Sequence, residues 1–399
     1  MNIQKQIDIL SKGTVDILPK NGLKEKILKS QKTNKPLIVK LGIDASGPEI
    51  HLGFSIPLRK LRLFQDFGHI ALLIFGDFTG KIGDPTGRNK TRPQLTDEDV
   101  QKNLANYKEQ VFKILIEDKT EIRLNGEWLE NLKPDEIVKL ASNLTVARML
   151  ERDYFSERYN SGVPISIHEF LYPLFQAYDS VAVKSDIELG GTDQKFNLLL
   201  GREIQEAYGL EPQIIMTMPL LEGTDGVRKM SKSYGNYIGI THSPKEIFGK
   251  TMSIPDNLIV KYMTLATNMS AEEVKTIAKS IKAGENPKNF KVLLAKEIIT
   301  LYYSKESADM AEAEFNRIFK EKGLPNEVEE KSLDKSKEHK LTILLKDLGL
   351  VKSSSEASRL IKQGGVKINQ ISVIDFNFLY RPKSGDILQV GKKKFVKII

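Results

Sequence analysis

The chain has 399 residues, 40% of them hydrophobic, with 60 Lys plus Arg against 52 Asp plus Glu, a formal charge of +8, five His and no Cys. The absence of Cys excludes a disulfide scaffold, a Cys-ligated zinc or iron–sulfur site and a thiol nucleophile, and five His leave little for a multi-His centre. This length calls for two or three domains around sizeable cores. The opening residues, MNIQKQIDILSKG, lack the apolar core of a signal peptide and no run is long enough to span a bilayer, so a soluble, cytoplasmic protein is expected.

In chain order, PLIVKLGI (36–43) reads as a buried strand, followed by the loop DASGPEI and a helical pattern from His51. A second buried strand, HIALLIFGDF, runs into a Gly-rich loop, TGKIGDPTGR. Strand, loop and helix in alternation predict an α/β domain with a parallel sheet, whose ligands bind where strands end and helices begin. Residues 97–165 contain an amphipathic stretch, DEDVQKNLANYKEQVFKIL. Then EFLYPLFQAYDS places Tyr172, Gln176 and Asp179 at i, i+4 and i+7, on one face of a helix. Polar groups on such a face are costly unless paired, which marks them as candidate ligand contacts. Residues 243–322 read as successive helices.

A charged segment with one proline, residues 323–339, reads as a linker. Beyond it, residues 338–399 carry +7 of the +8, so the charge is a property of one small module. That module alternates helical patterns (LTILLKDLGL, SSEASRLIKQ) with short strands (VKINQISV, DILQVGKKKFVKII), turning at Gly364-Gly365 and Ser384-Gly385. A compact basic module on a nearly neutral chain points to nucleic acid.

The chain has neither GxGxxG nor GxxxxGK[ST]. It has instead His51-Leu52-Gly53-Phe54 at a helix start and Lys229-Met230-Ser231-Lys232-Ser233 downstream. Together these resemble the two signatures of class I aminoacyl-tRNA synthetases. The resemblance implies amino-acid activation by ATP, with Mg²⁺ carried on the nucleotide. Negative charge grows on the departing pyrophosphate, and placed cations and donors lower the barrier. In that role Lys229 and Lys232 close over the β and γ phosphates, His51 donates to a phosphate oxygen, and Gly53 leaves room for adenine.

EFLYPLFQAYDS, DIELGGTDQKFN, GDFTGKIGDPTGR and TVARMLERD extend the resemblance over the whole chain to the tyrosyl-tRNA synthetase family. It implies that Asp179 accepts a hydrogen bond from the substrate phenol, that Tyr172, Gln176 and Asp84 hold the ammonium, and that Gln194 approaches the carboxylate. Gly191 and Asp193 would hold the ATP ribose. Asp44 and Ser46 would line the loop beside the nucleotide, and Ser231 and Ser233 belong to the ATP-binding signature. Arg88 and Arg92 fall where the family places basic groups near phosphate or tRNA, though a solvated loop fits these two arginines equally well. The tail SSSEASRLIKQGGVKIN is similar to the small RNA-binding domain of a ribosomal small-subunit protein, in which the helix carrying Arg359 and Lys362 lies against RNA. The expected organisation is a Rossmann-like parallel-sheet catalytic domain over 1–242, with a dimer-forming insertion at about 97–165. An all-helical anticodon-arm domain follows over 243–322, then a linker over 323–337 and a small α+β RNA-binding domain over 338–399. The expected partners are tRNA(Tyr), L-tyrosine, ATP and a second copy of the chain; no membrane and no protein-ligated metal are expected. Two alternatives share many of these residues: a non-catalytic RNA-binding paralogue, favoured by Phe54 where the family usually has His, and a tryptophanyl-type synthetase.

Overall fold

The computed structural model describes residues 2–43, 49–83, 96–319, 328–391 and 394–399. The chain forms two compact units, Met1–Lys305 and Glu306–Ile399.

The first unit is built on a six-stranded sheet: β1 (Asp16–Leu18), β2 (Ile38–Ile43), β3 (Ile70–Phe75), β4 (Thr120–Leu124), β5 (Ile187–Gly191) and β6 (Ile214–Met218). The spatial order is β1-β6-β5-β2-β3-β4, parallel except for β1, which runs antiparallel to β6. The apolar runs read from the sequence as β2 and β3 lie at the centre, because a strand covered on both faces has no solvent side to make polar. From β2 the chain winds outward to β3 and β4; it then returns to β5 on the other side and continues to β6. The winding therefore reverses between β2 and β5, and a crevice opens at their carboxyl ends.

Two helices start at that edge. Leu52–Asp66 follows β2 with His51 as its N-cap, and Lys195–Ala207 follows β5 through a short 3₁₀ turn, Thr192–Gln194. A third, Ile167–Val183, packs lengthwise on Lys195–Ala207 through an apolar stripe that includes Leu174, Phe175, Ala177, Leu200 and Ile204. Its start is fixed twice. Glu169 accepts from the Ser166 amide at 2.9 Å, and the same carboxylate is gripped by buried Arg158 at 2.6 and 3.0 Å. Helices Pro244–Met252, Ile259–Ala266, Ala271–Lys282 and Pro287–Tyr302 complete the unit, in the order read from the sequence. Among the described residues no helix is long and apolar enough to cross a membrane.

The second unit contains helices Leu341–Asp347 and Ser354–Lys362 and seven short strands: β7 (Glu329–Lys331), β8 (His339–Lys340), β9 (Val366–Ile368), β10 (Ile371–Val373), β11 (Leu379–Tyr380), β12 (Ile387–Val390) and β13 (Lys394–Ile398). Five form a sheet in the order β10-β9-β12-β13-β7, and β8 pairs with β11. Leu341, Leu345, Ala357, Ile361, Val366, Leu388, Val396 and Ile398 are the centre of its core. VKINQISV is two strands of a hairpin rather than one: Asn369 and Gln370 both take positive φ, as a two-residue turn of matching twist requires. The expected linker is also shorter than 323–337, because Glu329–Lys331 pairs parallel with Val396–Ile398. Its charged residues hide a strand because they lie on a sheet edge, where side chains stay solvated.

Candidate active site at the carboxyl edge of the sheet

His51 stands at the N-terminus of helix Leu52–Asp66, and its Nδ1 accepts from the Phe54 amide at 3.2 Å. That bond fixes the tautomer: Nδ1 is the acceptor, so Nε2 carries the proton and is the free donor. Burial, and then the charges of Lys232 and Lys229, push the imidazole down to about 4, so it stays neutral at physiological pH. Gly53 follows because space is short. A Cβ there would lie 3.2 Å from the His51 ring and 3.4 Å from Met230 Cβ. Met230 itself is buried, with its sulfur 3.4 Å from the Gly53 amide. The two signature segments, far apart in sequence, therefore meet at this helix start.

The lysine-bearing loop is held by Asn236. Its Oδ1 accepts from the Ser231 amide at 2.9 Å, and its amide nitrogen donates to Asp225 at 3.0 Å and to the Lys229 carbonyl at 3.2 Å. Gly223 packs against the same side chain, where a Cβ would come within 2.2 Å. Lys229 Nζ reaches Asp193 at 2.6 Å, and Lys232 Nζ donates to the Tyr107 hydroxyl at 2.6 Å. Ser231 caps the 3₁₀ turn Lys232–Tyr234 through the Ser233 amide, and Ser233 is exposed. Both lysines are thus gathered over the crevice by groups that a polyanion could displace.

Asp193 lies in the turn after β5, beside Gly191, where a Cβ would meet Asp193 Oδ1 at 2.6 Å and Leu220 at 2.9 Å. One residue on, Gln194 is tied to Gln176 by a shared partner. Buried Asn197 donates at 2.9 Å to both glutamine side-chain oxygens. Helix Ile167–Val183 presents Tyr172 and Asp179 as buried residues, with Gln176 half-buried between them.

Asp179, like Tyr172, is buried. Trp128 Nε1 donates to one carboxylate oxygen at 2.9 Å and Asn125 Nδ2 to the other at 3.3 Å. Asn125 is itself anchored to Thr79 at 2.9 Å. Burial raises the Asp179 carboxyl to about 7, while Lys40 and the two donors pull it down and Glu188 pushes it up. A carboxylate with two N–H donors and spare lone pairs can accept one more hydrogen bond, from a hydroxyl.

The structure joins His51, Gly53 and the Lys229–Ser233 segment at one helix start, Lys229 to Asp193 beside Gly191, and Gln176 to Gln194 through Asn197, with Tyr172 and Asp179 on the same helix as Gln176. Asp44, Ser46, Asp84, Arg88 and Arg92 lie outside the described residues. Arg359 and Lys362 are exposed on helix Ser354–Lys362 of the second unit, with Lys362 Nζ 4.5 Å from the Phe376 ring centre. Among the described residues no cluster of His, Asp or Glu could hold a metal ion. Sequence reasoning missed Asn125, Trp128, Asn197, Tyr107 and Asn236, which act through the residues it found. It also passed over Lys40, although a lysine inside the apolar run PLIVKLGI was a visible anomaly.

Residues 31–320 match the family model of tRNA synthetases class I (W and Y), and residues 340–383 match the S4 domain. The chain is 52% identical to the tyrosine–tRNA ligase of Carboxydothermus hydrogenoformans and 50% identical to that of Thermotoga maritima, in each case over 100% of this chain and 98% of the relative. The tyrosyl-tRNA synthetase of Archaeoglobus fulgidus, solved with L-tyrosine, shares the fold at a TM-score of 0.62 and 23% identity, over 78% of this chain and 99% of that one.

Proposed function

The chain belongs to the class I tRNA synthetases of the tryptophan and tyrosine group, in the bacterial tyrosyl branch, and from that premise we propose that it ligates tyrosine to tRNA(Tyr) at the expense of ATP. The observation that carries the amino-acid assignment is Asp179: a buried carboxylate fixed by Trp128 and Asn125, at the end of the helix face that also bears Tyr172 and Gln176. A phenol hydroxyl completes its hydrogen bonding. Phenylalanine would leave the carboxylate desolvated and unmatched, a rule for which tyrosyl-tRNA synthetases are themselves the worked case.

In the first step the tyrosine carboxylate attacks the α-phosphate of ATP, giving tyrosyl-adenylate and pyrophosphate. Gln176 and Gln194, coupled through Asn197, orient the ammonium and carboxylate ends, with Tyr172 and Asp84 completing the ammonium site. Asp193 and Gly191 receive the ribose; Asp44, Ser46 and Gly53 border the nucleotide. Lys229 exchanges Asp193, and Lys232 the Tyr107 hydroxyl, for phosphate oxygens as charge develops there, helped by Ser231 and Ser233. Neutral His51 offers its Nε2–H to the same oxygens without the cost of burying a second cation. Mg²⁺ carried on the ATP would supply neutralisation of phosphate charge, with no protein residue assigned to hold it. In the second step the terminal ribose hydroxyl of the tRNA takes the tyrosyl group, and the protein contributes orientation rather than a covalent intermediate.

The tRNA is held by the basic second unit through Arg359 and Lys362, with Arg88 and Arg92 as further tRNA contacts and the helices after residue 243 facing the anticodon arm. Exposed Val138, Val146, Tyr159 and Ile167, in and beside the 97–165 insertion, support a homodimer formed there. The place of action is the cytoplasm. The reading is tested by pyrophosphate exchange into ATP with Tyr, Trp or Phe supplied. Exchange with Tyr alone is expected. Exchange with Trp would overturn the amino-acid assignment, and no exchange at all would favour a non-catalytic RNA-binding protein.

A further inference from the structure

Behind Asp179 lies a second polar cluster with no expected part in the reaction. Lys40, on the central strand β2, is 1% exposed, and its Nζ pairs with Glu188 of neighbouring β5 at 2.9 Å. The same Nζ donates to Ser180 Oγ at 2.6 Å, so Lys40 touches the residue next to Asp179. Ser180 Oγ in turn donates to Glu188 at 3.2 Å, and Gln213 Nε2 donates to the same carboxylate. A Cβ at Gly201 would crowd the Ser180, Glu188 and Gln213 side chains within 2.8–3.1 Å, so the cluster is closed on that side too.

A buried ion pair is weak evidence for stability, since apolar residues of similar volume often serve as well. This pair, moreover, is oriented. Ser180 Oγ meets both ends, but the sheet order separates them: Glu188 on β5 is drawn toward Gln213 beside β6, while Lys40 on β2 lies on the side of β4, whose following residues Asn125 and Trp128 hold Asp179. The positive end therefore faces the substrate acceptor. Among the described residues Lys40 and Glu188 are the charged groups that act on Asp179. The nearby acids are committed elsewhere: Asp77 accepts from the Phe78 and Gly126 amides at 2.9 and 2.7 Å, and Glu127 pairs with Arg123.

We propose that the Lys40–Glu188 pair is a positioning device for substrate selectivity, whose oriented charge keeps Asp179 an ionised acceptor for the tyrosine hydroxyl inside a pocket that would otherwise protonate it. The inference rests on the reading of Asp179 as that acceptor. It makes Lys40 and Glu188 act in opposite senses, although both are members of one buried pair.

The full-length protein carries its own reporter, because Trp128 is the only tryptophan and its indole is bonded to Asp179. Trp128 emission is followed against pH without substrate, and tyrosine KM in pyrophosphate exchange is followed over the same range. The variants are Lys40→Met, Glu188→Gln and the double change, which leaves no charge unpaired. The Asp179 midpoint is expected to move up in Lys40→Met and in the double variant, and down in Glu188→Gln. The first unit of upward movement from about 7 raises tyrosine KM at pH 7 about fivefold and each further unit about tenfold, with recovery at higher pH and KM for ATP unmoved. Should Lys40→Met fail to fold, the other two carry the test. Midpoints that stay at the wild-type value in the folded variants, or that move the same way in Lys40→Met and Glu188→Gln, overturn the inference. Wild-type protein that responds to tyrosine in neither emission nor exchange overturns the reading of Asp179, and the inference with it.

Discussion

Replacing Asp179 by Asn isolates the cost of keeping a charge in the substrate pocket. Burial lifts the carboxyl from 3.8 to about 7. At about 1.4 kcal/mol per unit, that displacement corresponds to about 4 kcal/mol, an upper figure because it assigns the whole shift to the folded state. Between these two values the folded chain keeps a proton that the unfolded chain has lost, so stability falls as pH rises and the full cost is present above about 7. Asn has the same shape and no proton to lose. The stability of Asp179→Asn relative to the unchanged protein should therefore rise by up to about 4 kcal/mol between pH 4 and pH 8. Urea unfolding at a series of pH values, followed by Trp128 emission, measures it. A difference that does not vary with pH would refute the reasoning, since it would mean that Asp179 titrates alike in both states. The same carboxyl predicts the cost of function: tyrosine should bind about tenfold less tightly one unit below the midpoint, while Asp179→Asn binds tyrosine weakly at every pH.

Four further outcomes follow from the geometry. Asn197→Leu should uncouple Gln176 from Gln194 and raise tyrosine KM while leaving KM for ATP unchanged; an equal rise in both would point to general loosening. The His51 ring should titrate near pH 4 in an NMR series, because desolvation and two lysines oppose its protonation; a midpoint near that of free imidazole would contradict its placement beside Lys232 and Lys229. Phe54→His should keep substrate binding and leave activation unchanged or faster, as the Phe54 amide rather than its ring engages His51; complete loss of exchange would show a packing role for the ring. A chain ending at residue 320 should retain tyrosine-dependent exchange and lose tRNA charging together with its salt dependence; equal loss of both would refute the division of labour.

Much of this was legible in the sequence where chemistry is concentrated in short segments. The buried runs that became β2 and β3, the face bearing Tyr172, Gln176 and Asp179, and the segment Lys229–Ser233 could be read directly, because period and residue type coincide there. The supporting residues were not legible. Asn125 and Trp128 follow a strand, Thr120–Leu124, whose alternation spans only five residues, and Asn197 lies inside an amphipathic helix where one polar residue attracts no notice. Their roles depend on which elements the sheet order brings together, and β5 and β2 become neighbours only through a crossover. The segment Glu329–Lys331 was misread for the opposite reason: composition describes solubility, and an edge strand can be as charged as a linker.

That edge strand has a consequence for how the molecule matures. Its partner, Val396–Ile398, is itself flanked on the other side by β12. The basic unit's sheet therefore lacks an inner member until residues 394–398 have been translated. The ATP-site unit, made entirely of residues before 306, can close earlier, since domains fold largely in the order they emerge. A nascent chain would thus own an activation site before the basic module is complete, with residues 394–398 closing that module.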